Sequence, residues 1–304
     1  MSSLSSRIVQ VLLGVVGVVL TVLLVTPELV VEYFWMMFAV AGLYFGSNFY
    51  FLVRNVPPLW ASRWAREGEP PQVGGKPLTR DRLKRLGYVI AGILSLLFAV
   101  GFSGRWNELL RFWYAGSYGQ SDPIYGVDLA YHMLELPFLQ ALQSGVVGLA
   151  FLGLLVLVTG YVIAGQIGVQ DGGFEADAGA LRHLGVNIIL LLLGWAWGFY
   201  LDLYEILQEG GGAVYGAGYT DINVMIPALW VMVAATIGLA GLIGLNLYQR
   251  RLRTLGVGAV GYVVLLVGAL VLAPTLVTQL TVLPSELQRE RPYLQHNIDM
   301  TREA

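Results

Sequence analysis

FLQALQSGVVGLAFLGLLVLVTGYVI, residues 138–163, contains no Asp, Glu, Lys or Arg. As an α-helix it would be about 39 Å long at 1.5 Å per residue, more than the roughly 30 Å of hydrocarbon in a bilayer. Its apolar residues surround the whole helix circumference, so no face is left to set against water. Six further stretches read the same way: Ile8–Val25, Tyr33–Val53, Leu86–Phe102, Gly185–Leu201, Val224–Leu247 and Leu255–Leu272, the last continuing to Leu283. The expected fold is therefore an all-α membrane protein, a seven-helix transmembrane domain over residues 1–283 followed by an extracytoplasmic tail, 284–304. The first stretch exceeds the usual apolar length of a signal peptide and no small-residue cleavage site follows it, so it reads as a retained anchor.

Composition agrees. Only 12% of the 304 residues are charged and 56% are hydrophobic, against about 25% charged in soluble proteins. With no cysteine, disulfides, thiolate metal sites and cysteine nucleophiles are excluded. Nothing basic and interleaved with aromatics suggests a nucleic-acid partner; the expected partners are the bilayer and other membrane or extracytoplasmic subunits.

The basic residues set the orientation. Arg7, eight Lys and Arg between Arg54 and Arg85, Arg182, Arg250, Arg251 and Arg253 fall on one side, thirteen in all. Arg105 and Arg111, with Arg289, Arg291 and Arg302 of the tail, fall on the other. By the positive-inside rule the N-terminus is cytoplasmic and the tail outside, as an odd number of spans requires. The loop Arg54–Arg85 is broken by Pro57, Pro58, Pro70, Pro71 and Pro77 and reads as a short interfacial piece around Trp60–Arg66 with an irregular link.

The long third loop, Ser103–Pro137, has Trp106, Leu109, Leu110 and Trp113 at helical spacing, which predicts interfacial helices with Trp106 and Trp113 at the headgroup level. Asp122-Pro123 reads as a helix start. Were Val127–Leu136 helical, Asp128, His132 and Glu135 would share a face at i, i+4 and i+7, as metal or proton-handling side chains or simply as its solvated edge.

A second acidic stripe, Asp202, Glu205 and Glu209, precedes the Gly-rich stretch Gly210–Gly218, with Asp221 across it and no Lys or Arg in that loop. Clustered carboxylates suit Ca²⁺, and they equally suit a water-facing helix extension. No other cofactor is expected.

Within the spans every Asp, Glu, Lys and Arg lies at a boundary, which argues against a proton pump. Gly256–Gly261 matches GxGxxG but lies inside an apolar span without a preceding strand, so it is no dinucleotide loop. The pairs Gly42/Gly46 and Gly194/Gly198, with Gly238, Gly241 and Gly244, predict close helix packing within the bundle or between protomers. No Ser/His/Asp set can be assembled from His132, His183 and His296, so catalysis is not expected.

Three segments resemble the uncharacterised bacterial membrane family UPF0182: Asp122-Pro-Ile-Tyr-Gly-Val-Asp128 with Leu136-Pro137; Gly216-Ala-Gly-Tyr-Thr-Asp-Ile-Asn223 with Pro227-Ala-Leu229; and Pro284-Ser-Glu286, Glu290-Arg-Pro-Tyr293, Asn297-Ile298 and Thr301-Arg302. They occur in the family's order. The resemblance implies residence in the bacterial plasma membrane and no established activity. The family's pattern is aromatic where this chain has Ala130, His132 and Leu134, which argues against a shared role for His132. It also implies a large extracytoplasmic region after the tail motif, following Ala304 in a longer polypeptide or supplied by a separate one.

The leading functional expectation is a non-catalytic module that anchors or scaffolds such a region. Its tail would dock a partner as a strand or linker through Pro284, Glu286, Glu290, Pro292, Tyr293, Asn297 and Arg302. The alternative is a cation-favouring transporter or channel with Asp202, Glu205, Glu209 and Asp221 at its outer mouth.

Overall fold

Long helices dominate the computed structural model, which describes residues 28–56, 72–73, 76–77, 79–170, 173–208, 216–249 and 252–303. Six helices among these are long and apolar enough to cross a membrane. The expected first span, Ile8–Val25, lies outside the described residues, as do Trp60–Arg66, Glu209 and most of the Gly-rich stretch. The chain divides into two compact units, residues 1–110 and 111–304.

In the first unit α1 (Glu28–Asn55) packs along α2 (Arg80–Ser103). Phe34, Ala41, Phe45 and Leu52 recur at seven- and four-residue intervals on α1 and are buried, one seam of the helix facing its neighbour. Between helices surrounded by lipid, which is as apolar as these side chains, van der Waals contact and backbone proximity would hold such a seam, and transfer from water would contribute little. Gly42 sits across from Ser95, whose Oγ donates to the Ala91 carbonyl at 2.6 Å. Thr79 accepts from the Arg82 amide and begins α2. Next comes α3 (Trp106–Trp113), the short helix that the third loop predicts. Trp106 and Leu109 pack beside Tyr33, Phe34 and Met37, whereas Trp113 is 74% exposed.

The second unit contains α4 (Leu136–Ile163), the hairpin of β1 (Ile167–Gln170) and β2 (Gly173–Ala176), α5 (Ala178–Glu205) and α6 (Ile226–Gln249). Asp177 caps α5 by accepting from the Gly179 amide at 2.8 Å. A Cβ on Gly194 would meet Val147 at 2.9 Å, and one on Gly198 would meet Gln143 at 2.7 Å. The small-residue pair thus lies where α4 side chains press onto the α5 backbone, and Gln143 Nε2 donates across to the Gly194 carbonyl at 2.8 Å. Gly238 and Gly241, by contrast, have open space where a side chain would stand. Tyr161 and His183 share a 2.8 Å hydrogen bond between the same two helices, away from any other histidine of the expected sites.

The last span differs most from expectation. From α7 (Leu252–Val267) the chain stays helical without a break through two π turns, α8 (Ala273–Val277) and a 3-10 turn into α9 (Glu286–Glu303). The tail that reads as a strand or linker is an α-helix, with Pro292 inside it. Proline removes one amide and one intrahelical bond. Here it does so on an exposed stretch, where water can take the released carbonyl.

Candidate functional site

The loop between α3 and α4 is a tight hairpin organised by two aspartates. Asp122 Oδ1 accepts from the amides of Ile124 at 2.9 Å and Tyr125 at 2.6 Å, and Oδ2 from the Val127 amide at 2.9 Å. His132 Nε2 stands 3.3 Å from the same Oδ2, with both side chains 6% exposed. Burial opposes ionisation of Asp122, but the amides of Tyr125, Ile124 and Val127 together with His132 outweigh it and hold the carboxyl below its ordinary value. Gly126, at φ +67°, closes the turn in a conformation that side chains disfavour. Tyr125 loses water and faces the Asp122 charge, which pushes its phenol up to about 12.

Asp122 therefore collects free amides as expected, yet no helix starts there. The helix begins after Asp128, which accepts from the Ala130 amide at 2.8 Å. Asp128 also accepts from Ser117 Oγ and from the amides of Tyr118 and Gly119, and these donors keep its carboxyl far below the usual range. Tyr131–Glu135 is a π turn. Its i→i+5 pairing carries more residues per turn than an α-helix, so the expected face of Asp128, His132 and Glu135 does not form. Asp128 serves the hairpin and His132 serves Asp122.

The second segment leads from Gly216–Gly218 into a helix: Tyr219 and Thr220 open it, and Asp221–Met225 is a π turn that runs into α6. Asp221 accepts from the Gly218 amide at 2.9 Å, and Thr220 meets Thr278 at 2.9 Å. The third segment, α9, latches onto it. Both Glu290 oxygens accept from the Tyr219 amide, at 3.1 and 3.2 Å. Arg289 lies 5.1 Å over the Tyr219 ring and donates to its hydroxyl at 3.2 Å. Asn223 donates to Tyr293 Oη at 3.1 Å. Any Cβ at position 218 would press on Glu290 at 3.1 Å, so glycine permits the approach. Of the expected docking residues, Glu290 and Tyr293 are thus turned toward this chain. Pro284 lies in the 3-10 turn; Glu286, Pro292 and Arg302 are exposed, and of Asn297 only the backbone is described.

Together the three segments enclose a cavity of about 350 Å³, near the lower end of the roughly 300–1,000 Å³ usual for small-molecule sites. Asp122, Pro123, His132, Gly216, Tyr293 and His296 are among its lining residues, with Gln208 in the turn that follows α5, whose Nε2 donates to the His132 carbonyl at 3.0 Å. Neither Lys nor Arg, nor any Ser, Thr or Cys, lines it among the described residues. Tyr125, Tyr131 and Tyr204 pack beside it with ring centroids 5.1 Å apart. Tyr125 Oη and His132 Nδ1 are buried without a hydrogen-bond partner among the described residues.

Asp202 and Glu205 lie in the last turn of α5, and Asp221 begins the π turn ahead of α6. Among the described residues no group of three or more His, Asp or Glu side chains stands together as a metal site would require, and Glu209 lies outside them.

A model of an uncharacterised protein family, UPF0182, matches residues 10–304. A UPF0182 protein of Salinibacter ruber is 76% identical across 99% of this chain and 34% of its own length. One of Bradyrhizobium diazoefficiens is 34% identical across 80% of the chain and 26% of itself, and one of Geobacter sulfurreducens 31% identical across 74% and 26%. The chain thus spans between a quarter and a third of the length of these curated relatives. No solved structure matches it.

Proposed function

The chain belongs to the UPF0182 family of uncharacterised proteins, and on that footing we propose that it is a non-catalytic module of the bacterial plasma membrane that anchors or scaffolds an extracytoplasmic domain or complex. In this reading seven spans cross the bilayer, Ile8–Val25 being the first. The N-terminus is cytoplasmic, and the end carrying the third loop, the Gly218 segment and α9 is outside.

One observation carries the reading: the last span passes without interruption into a polar helix latched at its base. The run 252–303 has a contour length of about 75 Å at 1.5 Å per residue. Crossing the hydrocarbon takes roughly 30 Å of it. What remains is a strut held to the Gly218 segment by Glu290, Arg289 and Tyr293, suited to fixing the position of whatever follows or binds it. The aspartates of the outer loops support the same reading, since they are spent on backbone amides and leave little for chemistry. The described lining of the outer cavity holds no Ser, Thr or Cys, and the hydroxyl it does hold, that of Tyr293, is engaged by Asn223.

The test is photo-crosslinking in native membranes from positions 288 and 291, both exposed on α9. The expected product joins α9 to an extracytoplasmic polypeptide, which leaves the membrane fraction when Glu290 and Tyr293 are both changed to Ala. Crosslinks to lipid alone, or retention of the polypeptide by the double variant, would refute the proposal.

A further inference from the structure

At the opposite end of α5 from the outer cavity, a second one opens between α5, α6 and α7, with a volume of about 570 Å³. Its walls are almost wholly apolar: Leu184, Ile188, Leu192, Ile243 and Leu255 are representative. Arg182, one turn into α5, lines it, is exposed and has no ion-pair or hydrogen-bond partner among the described residues. The N-terminus of α5 lies at this end, and α7 begins here with Arg253, also exposed. The positive ends of helix dipoles favour an anion in such a place, and a guanidinium pairs with phosphate through parallel donors.

We propose that this cavity binds one anionic glycerophospholipid, its acyl chain along the apolar walls and its phosphate at Arg182. Two features select this occupant over a partner helix. An apolar body with one cation, Arg182, in its described lining complements a lipid's two-part chemistry, and basic pockets between spanning helices near the interface hold anionic headgroups in this way. No position is buried in the most apolar 18-residue window of the helix that starts at Arg253, so this helix keeps accessible surface that bilayer lipid can reach. The carboxylates just ahead of α5, Glu175 and Asp177, are committed: Asp177 caps α5, and Glu175 has a partner of its own. The proposal rests on the membrane-spanning reading above.

The experiment reconstitutes the chain into vesicles of equal parts phosphatidylglycerol and phosphatidylcholine, then counts retained lipids by native mass spectrometry. The wild-type chain should retain phosphatidylglycerol over phosphatidylcholine about fivefold, the worth of one basic side chain at a membrane surface. Arg182→Gln should equalise the two, and Ala259→Phe, which fills the cavity from α7, should reduce both. Arg182 is exposed and unpaired, so its replacement leaves folding intact, with helicity checked by circular dichroism. Retention without headgroup preference, or selectivity unchanged in Arg182→Gln, would overturn the proposal while the spanning reading stood. A chain missing from the membrane pellet before extraction would overturn both.

Discussion

Replacing Glu290 with Ala should release α9 from the Gly218 segment while leaving the apolar spans intact. The carboxylate accepts from the Tyr219 amide through both oxygens and is half-buried. A hydrogen bond to a charged group contributes about 1.5–3 kcal/mol, so its loss shifts the opening of the latch by roughly 10- to 100-fold. Hydrogen exchange on reconstituted protein reads this directly, because the Tyr219 amide exchanges when the latch opens. Its rate should rise by that factor in Glu290→Ala and by less in Glu290→Gln, whose amide oxygen still accepts. Glu286→Gln, an exposed change one turn away, should leave it alone. If Tyr219 exchanges at the wild-type rate in Glu290→Ala, or if Glu286→Gln accelerates it equally, the latch does not hold the strut and the reasoning fails.

Other expectations concern the hairpin and the bundle. Asp122→Asn should cost about 1–3 kcal/mol, since an amide cannot accept from all three backbone donors, and a fall in Tm would register it. Because Asp122 ionises below its ordinary value when folded, its contribution is complete above the unfolded value of about 3.9 and fades as pH drops through the folded value. The Tm gap between wild type and Asp122→Asn should therefore be flat near neutrality and narrow in acid; a gap that widened in acid would contradict the sign. Gly198→Ala should push Gln143 off the Gly194 carbonyl and lower the unfolding free energy by about 0.5–1.5 kcal/mol, read from a denaturant titration. Gly238→Ala, facing open space inside α6, should not lower it and should raise it by up to about 1 kcal/mol through alanine's helix propensity.

The six long apolar helices among the described residues were legible because continuous hydrophobicity is a property that any window of residues displays. Their ends were less so: α5 begins at Ala178, seven residues before the apolar stretch, because Asp177 supplies a cap that hydropathy does not register. The π turn at Tyr131–Glu135 has no local sequence marker, so an α-helical count put Asp128, His132 and Glu135 on one face. The partners of Asp122 could have been suspected from its three following amides, but not His132, which reaches it by folding back. Pro284 and Pro292 argued for extended chain in the tail; solvent at an exposed helix surface, together with the preceding span, prevailed. The contact between Glu290 and Tyr219 joins positions 71 apart, and nothing in either segment alone points to the other.

Orientation in the membrane underlies the whole account, and the chain's lack of cysteine makes it directly measurable. Single cysteines at Ser121, Gln288 and Thr254 would be treated in intact cells with a membrane-impermeant maleimide. The account predicts labelling at 121 and 288, with 254 protected until the cells are permeabilised. Labelling at 254 with protection at 121 and 288 would place the strut and its latch inside the cell and contradict it.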